Sequence, residues 1–258
     1  MTPVTRWPAE AIWEAVAPLL PGFTVEVLPQ VDSTSSELMR RLRAGQIEPT
    51  LLVAEQQTAG RGRMGRGWQS QIGDSLTFSL SLPLAPADWS GLSLAVGVSV
   101  VESLHPELQL KWPNDVWLQG RKLGGILIET AGAAGAQRHA VIGIGINIAT
   151  PAVDAAQALS TVPASLRELM PGIDAPAALL RLAEPLVRTV QAFEQQGFAP
   201  FQSRFARHDL LLGRPLTLST GVAGIGRGVD ARGALQVMTD DGLQAITSAE
   251  VSVRPVLG

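Results

Sequence analysis

The sequence predicts an α+β protein: a mixed β-sheet with flanking helices, followed by a small β-barrel. Three observations point there. Four closely spaced strand-like runs, "LQLKW", "VWLQG", "GGILIET" and "HAVIGIGINI", suggest an antiparallel run inside a mixed sheet. From about Thr161 to His208 the pattern turns helical. From about Leu211 onward short strands are split by Gly/Asp turns, as in a small separate barrel. This divides the chain into a domain over residues 1–210 and a second over 211–258.

Taken in order, "PAEAIWEAVAPLL" reads as a short leading helix that ends near Pro18, and "FTVEVL" from Phe23 as a strand. "TSSE", Thr34 to Glu37, has capping-box spacing and opens a helix ending at Gly45. "LLVAEQQ" is a strand running into a Gly/Arg loop, and "SLTFSLSLP" alternates like a half-buried strand. "GLSLAVGVSVVESL" is apolar nearly all round and reads as a buried helix. "DAPAALLRLAEPLVRTVQAFEQQGF" is the longest helix, and "LTLST", "AGIGRGV", "ALQVMT", "GLQAIT" and "VSVRP" are the barrel strands.

Composition narrows the function. The 258 residues are 46% hydrophobic and 17% charged, a globular balance that argues against disorder. A formal net charge of -3 gives no global attraction to nucleic acid or acidic membrane, so any basic patch is a local feature. The absence of cysteine excludes disulfides, thiolate metal sites and acyl-thioester intermediates. The polar start and the lack of a span-length apolar run imply a cytoplasmic protein with no membrane partner. His105, His139 and His208 form no metal spacing.

The stretch that asks for a ligand is "GRGRMGRGW", Gly60 to Trp68. Neighbouring guanidinium groups repel unless an anion sits among them, and glycines let backbone approach it. The text fits G-x-G-x-x-G literally, but it runs into a tryptophan and a strand rather than an apolar helix, which argues against a dinucleotide fingerprint. A solvated basic loop and a lid over an anion remain the two readings, with Trp68 available to stack on a purine. "KWPNDVW" from Lys111 is a turn signal that also sets a lysine beside Asn114 and Asp115, suited to positioning a nucleotide directly or through Mg²⁺. In "RKLGGILIE", Lys122 precedes Gly124 and Gly125, glycines that mark close approach by ligand or backbone. Asn147 ends "GIGIN", as a turn cap or a ligand contact. Hydroxyls in "DSTSSE" either cap the helix or cradle a polar ligand group.

These pieces in this order, with "GIGRGVDARGAL" near the end, resemble the biotin–protein ligases, also called biotin–[carboxyl-carrier] ligases. The resemblance runs from about Val31 over nearly the whole chain. It implies a class II synthetase-like catalytic domain with an SH3-like C-terminal barrel. It also implies activation of biotin by ATP to biotinyl-5′-AMP, and transfer to a lysine of a biotin carboxyl carrier protein. By this resemblance Ser33, Thr34, Gln57, Gly60, Arg61, Arg63, Lys122 and Gly125 contact biotin or its activated form. Arg63, Trp68, Lys111, Asn114, Asp115, Asn147 and Arg227 serve ATP. Arg61, Arg63, Lys122 and Asp115 are the catalytic candidates, Mg²⁺ accompanies ATP, and its ligands are unassigned. The family's repressor branch carries a helix-turn-helix domain of roughly sixty residues. The short stretch before Ser33 holds no basic recognition helix, which fits the monofunctional type and no DNA partner. Ser35 stands where the family pattern has asparagine, and Gly124 where alanine is common. Many bacterial relatives pair as homodimers. The rivals are a lipoate–protein ligase and a non-catalytic biotin-binding sensor.

Overall fold

The computed structural model describes residues 5–132, 137–151, 162–247 and 253–255. The expected helical start at Thr161 and the first residues of "VSVRP" lie outside these. Two compact units emerge, neither continuous in sequence: residues 1–85 with 121–188, and 86–120 with 189–258.

The first unit opens with helix α1 (Ala9–Val16), which buries Ile12 and Val16. Strand β1 (Thr24–Val31) pairs in parallel with β2 (Thr50–Gln57). Between them runs α2 (Thr34–Arg43). A two-stranded ribbon, β3 (Gly60–Arg61) and β4 (Gly67–Trp68), holds the Gly/Arg loop. Strand β5 (Ser75–Pro83) pairs antiparallel with β2 on one side and with β9 (His139–Asn147) on the other. Strand β8 (Arg121–Ala131) then pairs antiparallel with β9. The order β1-β2-β5-β9-β8 is mixed, as expected.

Register makes one face of this sheet the place to look. Thr77 sits opposite Ala54 and Gly145, and Gly145 opposite Gly125. One step along, Ser79 sits opposite Leu52 and Gly143, and Gly143 opposite Leu127. Directly paired residues share a face, so Thr77, Ser79, Gly125, Gly143 and Gly145 form a patch of small or polar residues edged by Leu52 and Leu127. Beyond them, Leu38 and Met39 of α2 bury Leu52 and Val141 of the same face. The alternation in "SLTFSLSLP" predicts a half-buried strand, yet Ser75 through Leu82 are all buried. Its serines and threonine are turned toward α2 and the loop rather than toward water, and Thr77 donates to the Ala54 carbonyl at 3.0 Å.

The second unit holds α3 (Leu92–Leu104), buried along most of its length as its apolar run predicts, with Glu102 near its end exposed. The hairpin β6 (Gln109–Lys111) and β7 (Asp115–Leu118) follows, with a cis Trp112–Pro113 bond in its turn. Helix α4 (Ala175–Gln196) is the longest, as expected, and spans the boundary between the two units. The helical reading overreaches before it: 162–174 hold only a short 3₁₀ turn at Leu166–Glu168. Helix α5 (Gln202–Ala206) leads to β10 (Pro215–Leu218), β11 (Ala223–Val229), β12 (Leu235–Thr239), β13 (Gly242–Ile246) and β14 (Val253–Pro255). The five strands form an antiparallel sheet in the order β13-β12-β11-β10-β14. The expected barrel is thus seen as a sheet whose terminal strands, β13 and β14, are not paired with each other among the described residues. Asp209 introduces it, accepting the Leu211 amide at 2.8 Å while burial pushes its carboxyl up to about 6.

Candidate active site

The start of α2 is the polar end of the site. Ser33, extended at φ -157° and ψ 133°, is the N-cap, and its hydroxyl accepts the Ser36 amide at 3.4 Å. The expected capping box is therefore displaced by one residue. Thr34 is inside the helix, and Glu37 pairs with Arg40 and Arg41 instead. Freed from capping, Thr34 faces the sheet. Its amide and hydroxyl both donate to Gln57 Oε1, at 2.8 and 3.1 Å, and its hydroxyl lies 2.7 Å from Ser79 Oγ. Ser35 Oγ lies 3.0 Å from the same Ser79 Oγ. Asp32 braces this corner. It accepts the Ser33 amide at 2.7 Å and both Arg40 guanidinium nitrogens at 2.7 and 2.8 Å. The Arg40 guanidinium pulls the Asp32 carboxyl down to about 2.

Ser79, which the motif reading passes over, joins the candidate corner through Thr34 and Ser35. Its signal was present: serines and a threonine at every second position of a strand with no exposed face. Ser35, the departure from the family pattern, fits because Gly143 lies beneath it. A Cβ on Gly143 would stand 2.3 Å from Ser35 Oγ. Gly124 is tight as well, since a Cβ there would stand 2.6 Å from the Gly145 carbonyl oxygen.

The Gly/Arg loop covers the row of small residues. The Trp68 indole rests on Gly145, where a Cβ would come within 2.5 Å of the ring. Its Nε1 is buried without a hydrogen-bond partner. Gly60 is required by the ribbon, because a Cβ would meet the Trp68 carbonyl at 2.5 Å and Gln57 Nε2 at 2.8 Å. The loop between is a 3₁₀ turn over Arg63–Gly65, with Met64 left-handed at φ 57° and largely exposed. Arg61 reaches Glu129 of β8, with Nη2 at 2.9 and 3.2 Å from the two carboxylate oxygens.

Lys122 and Asn147 are tied to one segment. The Lys122 carbonyl accepts the Ala164 amide at 2.8 Å, and Asn147 Nδ2 donates to the Ala164 carbonyl at 3.0 Å. Arg121, at the start of β8 rather than in the turn, pairs with Glu168, whose Oε1 also accepts the Ser165 amide at 2.9 Å. That capping box fixes the segment holding both candidates.

The first unit therefore carries Ser33, Thr34, Gln57, Gly60, Arg61, Arg63, Trp68, Lys122, Gly125 and Asn147. Of these, the α2 corner, Gln57 and the Gly60–Trp68 ribbon stand in direct contact. Lys111, Asn114 and Asp115 stand together on the hairpin of the second unit, with Lys111 opposite Asp115 and its ammonium 5.0 Å from the Trp117 ring centroid. Arg227 is on a separate element of that unit, exposed on β11. Among the described residues no three His, Cys, Asp or Glu side chains cluster as a metal site. A cavity of about 310 Å³, bounded by Arg6, Trp7, Glu55 and Arg167, holds none of the site candidates.

Comparison with known proteins finds relatives along both parts of the chain. Residues 27–147 match the Biotin/lipoate A/B protein ligase family, and residues 211–254 the Biotin protein ligase C terminal domain. The chain is 37% identical to the bifunctional ligase/repressor BirA of Escherichia coli over 245 residues, covering 91% of this chain and 75% of that protein. It is 33% identical to the biotin–[acetyl-CoA-carboxylase] ligase of Paracoccus denitrificans, covering 87% of this chain and 98% of that one. Among solved structures, the Aquifex aeolicus biotin protein ligase in complex with biotin and ATP superposes with a TM-score of 0.76 at 30% identity, over 90% of this chain and 98% of that one. A chain with this fold, these motifs and relatives matched along both of its parts belongs to the biotin protein ligase family.

Proposed function

We propose that this protein activates biotin with ATP as biotinyl-5′-AMP, and transfers the biotin to a lysine of the carboxyl carrier of a biotin-dependent carboxylase. The observation that carries the reading is the joining of three features on one sheet face. These are a hydroxyl cluster at Thr34, Ser35 and Ser79, a strip floored by Gly143 and Gly145, and an arginine loop above it. Hydroxyls donate or accept as required, so the cluster suits a group that, like a cyclic urea, has a carbonyl and N–H groups side by side. Ser35 and the Trp68 indole cover the glycine strip here; with the loop lifted the strip takes a flat apolar body, and the arginines take the carboxylate end.

The chemistry sets the remaining tasks. Biotin's carboxylate oxygen attacks the α-phosphorus of ATP, the bond to the bridging oxygen breaks, and pyrophosphate leaves. Two anions must meet, so Arg61, Arg63 and Lys122 are assigned to offset repulsion and hold the attack geometry. Mg²⁺ would accompany ATP and offset the phosphate charge, with no residue of this chain assigned to hold it. Lys111, Asn114, Asp115, Asn147 and Arg227 are assigned to the nucleotide side, with Trp68 walling the purine. The product is a mixed anhydride that water destroys, so the Gly60–Trp68 loop must open for substrates and close over the intermediate. In the second step the carrier's lysine amine attacks the acyl carbon and AMP leaves. Asp115 orients that amine or takes up its proton. Domains over 1–210 and 211–258 are part of this reading, supported by the separate family match that begins at residue 211. A cytoplasmic location and a homodimer belong to it as well, and no helix among the described residues is long and apolar enough to cross a membrane.

The test is transfer itself. The protein with biotin, MgATP and a purified biotin-carrier domain should yield carrier with one added biotin by mass. A carrier with its acceptor lysine changed to arginine should stay unmodified. Modification with lipoate but not biotin would assign the chain to the lipoate branch. Biotin binding with no transfer and no adenylate would leave a sensor.

A further inference from the structure

The Arg61–Glu129 pair does not have the geometry of a fixed structural bridge. Glu129 follows Gly125 and Leu127 at every second position of β8, and its neighbour across the strands is Val141. It therefore stands on the same sheet face as the glycine strip, at the far end from the Lys122 start of the strand. Only Nη2 of Arg61 takes part, straddling both carboxylate oxygens at 2.9 and 3.2 Å. The two-nitrogen fork that gives an arginine–carboxylate pair its strength is unused. Both partners are open to water, with side chains 44% and 26% exposed, so little is lost when they separate. Arg61 also belongs to a two-residue strand at the root of a loop with two glycines, Gly62 and Gly65, and a left-handed Met64, a segment able to redirect its side chains.

We propose that Glu129 is a positioning residue that holds the Arg61 guanidinium until an anionic ligand takes its place. The proposal rests on the reading above, in which Arg61 serves biotin's carboxylate and the acyl-phosphate made from it. Glu129 presents the same chemical group as the substrate, in a weaker geometry and a wetter place. A carboxylate arriving along the glycine strip offers the fork, and the guanidinium transfers to it. Before that moment Glu129 keeps Arg61 over the correct face and away from stray anions. Exchange of one carboxylate for another also makes the loop's response specific to ligands that carry the charge.

The experiment is a binding cycle by calorimetry on the whole chain: parent, Glu129→Gln, Arg61→Ala and the double variant. Each is titrated with biotin and with biotinol, the neutral alcohol. Release of the latch should tighten biotin by about 2–5-fold in Glu129→Gln, the range an exposed ion pair supplies. Biotinol should be unchanged, and Glu129→Gln should have no effect on biotin in the Arg61→Ala background. Tightening that persists without Arg61 would mean direct repulsion between Glu129 and the ligand, and would overturn the latch. Equal weakening of biotin and biotinol would make Glu129 merely structural, and no change in either would leave it without a role, each overturning the proposal. Binding of neither ligand by the parent would bring down the functional reading and the latch together, a result distinct from all of these.

Discussion

Thr34 and Trp68 lie on the same sheet face, yet their surroundings are opposites. The Thr34 amide, its hydroxyl, and the Ser35 and Ser79 hydroxyls all have partners between 2.7 and 3.1 Å, and all three residues are buried. The Trp68 indole N–H is buried with no partner, next to a loop whose Met64, Gly65 and Arg66 are exposed. An unmet buried donor costs about 1–3 kcal/mol, whereas a satisfied one is close to neutral or mildly favourable. The Thr34 corner is internally hydrogen-bonded, whereas the Trp68 indole N–H is not. The difference teaches how the labour is divided. Under the proposed function, recognition of the polar head falls to the internally bonded corner and water exclusion to the loop.

The comparison breaks most severely where chemistry needs a charge that neither region replaces. Lys122→Ala should lower biotin-dependent adenylate formation by about 10³-fold, equal to ~4 kcal/mol of transition-state stabilisation, with the circular dichroism spectrum unchanged. Near-normal rates would remove Lys122 from the mechanism. Next, Gly143→Ala attacks the floor. Its Cβ would stand 2.3 Å from Ser35 Oγ, so the hydroxyl cluster must shift. Biotin affinity should fall at least tenfold and stability by about 1–3 kcal/mol, read by calorimetry and thermal melts. Arg63→Gly attacks the lid alone. Retention of the adenylate should drop about tenfold, measured by trapping with a free amine, while biotin affinity changes less than in Gly143→Ala. Unaltered trapping would mean that the loop is not the barrier to water.

The smallest effect is expected at the brace. The Asp32 carboxyl is drawn down to about 2 from an ordinary 3.8, chiefly by its hydrogen bonds to Arg40. A lowered carboxylate pKa stabilises the folded state above the unfolded value, and that contribution is lost as pH falls from about 3.8 through about 2. The Tm difference between parent and Asp32→Asn should therefore be flat from pH 5 to pH 8 and shrink below pH 4. A difference that varies across neutral pH would show that Asp32 does not act through this pair. Because the side chains are near half exposed, the difference should be small at every pH.

Much of this was legible in the sequence. The strands, the buried α3 and the long α4 announce themselves through apolar periodicity, a local property. Lys111 to Asp115 and Gly60 to Trp68 stand out because turns and close approaches restrict residue type. What was missed depends on contacts distant along the chain. Ser79 is separated by 45 residues from Thr34, and only strand register brings them together. Glu129 reads as the polar end of a strand until Arg61 is found 68 residues away. The sequence puts the N-cap one residue late because "STSS" offers several hydroxyls able to cap, and Gln57 is what draws Thr34 elsewhere. The alternation in β5 reads as a solvent face because polar residues usually mark one, whereas here every position from Ser75 to Leu82 is buried.

The central claim is that this chain forms an acyl-adenylate from biotin. Exchange of labelled pyrophosphate into ATP measures that step without a carrier protein, run with biotin, with lipoate and with neither acid. The account predicts exchange that requires biotin and is lost in Lys122→Ala. Exchange with lipoate alone, or none with biotin still tightly bound, would contradict it.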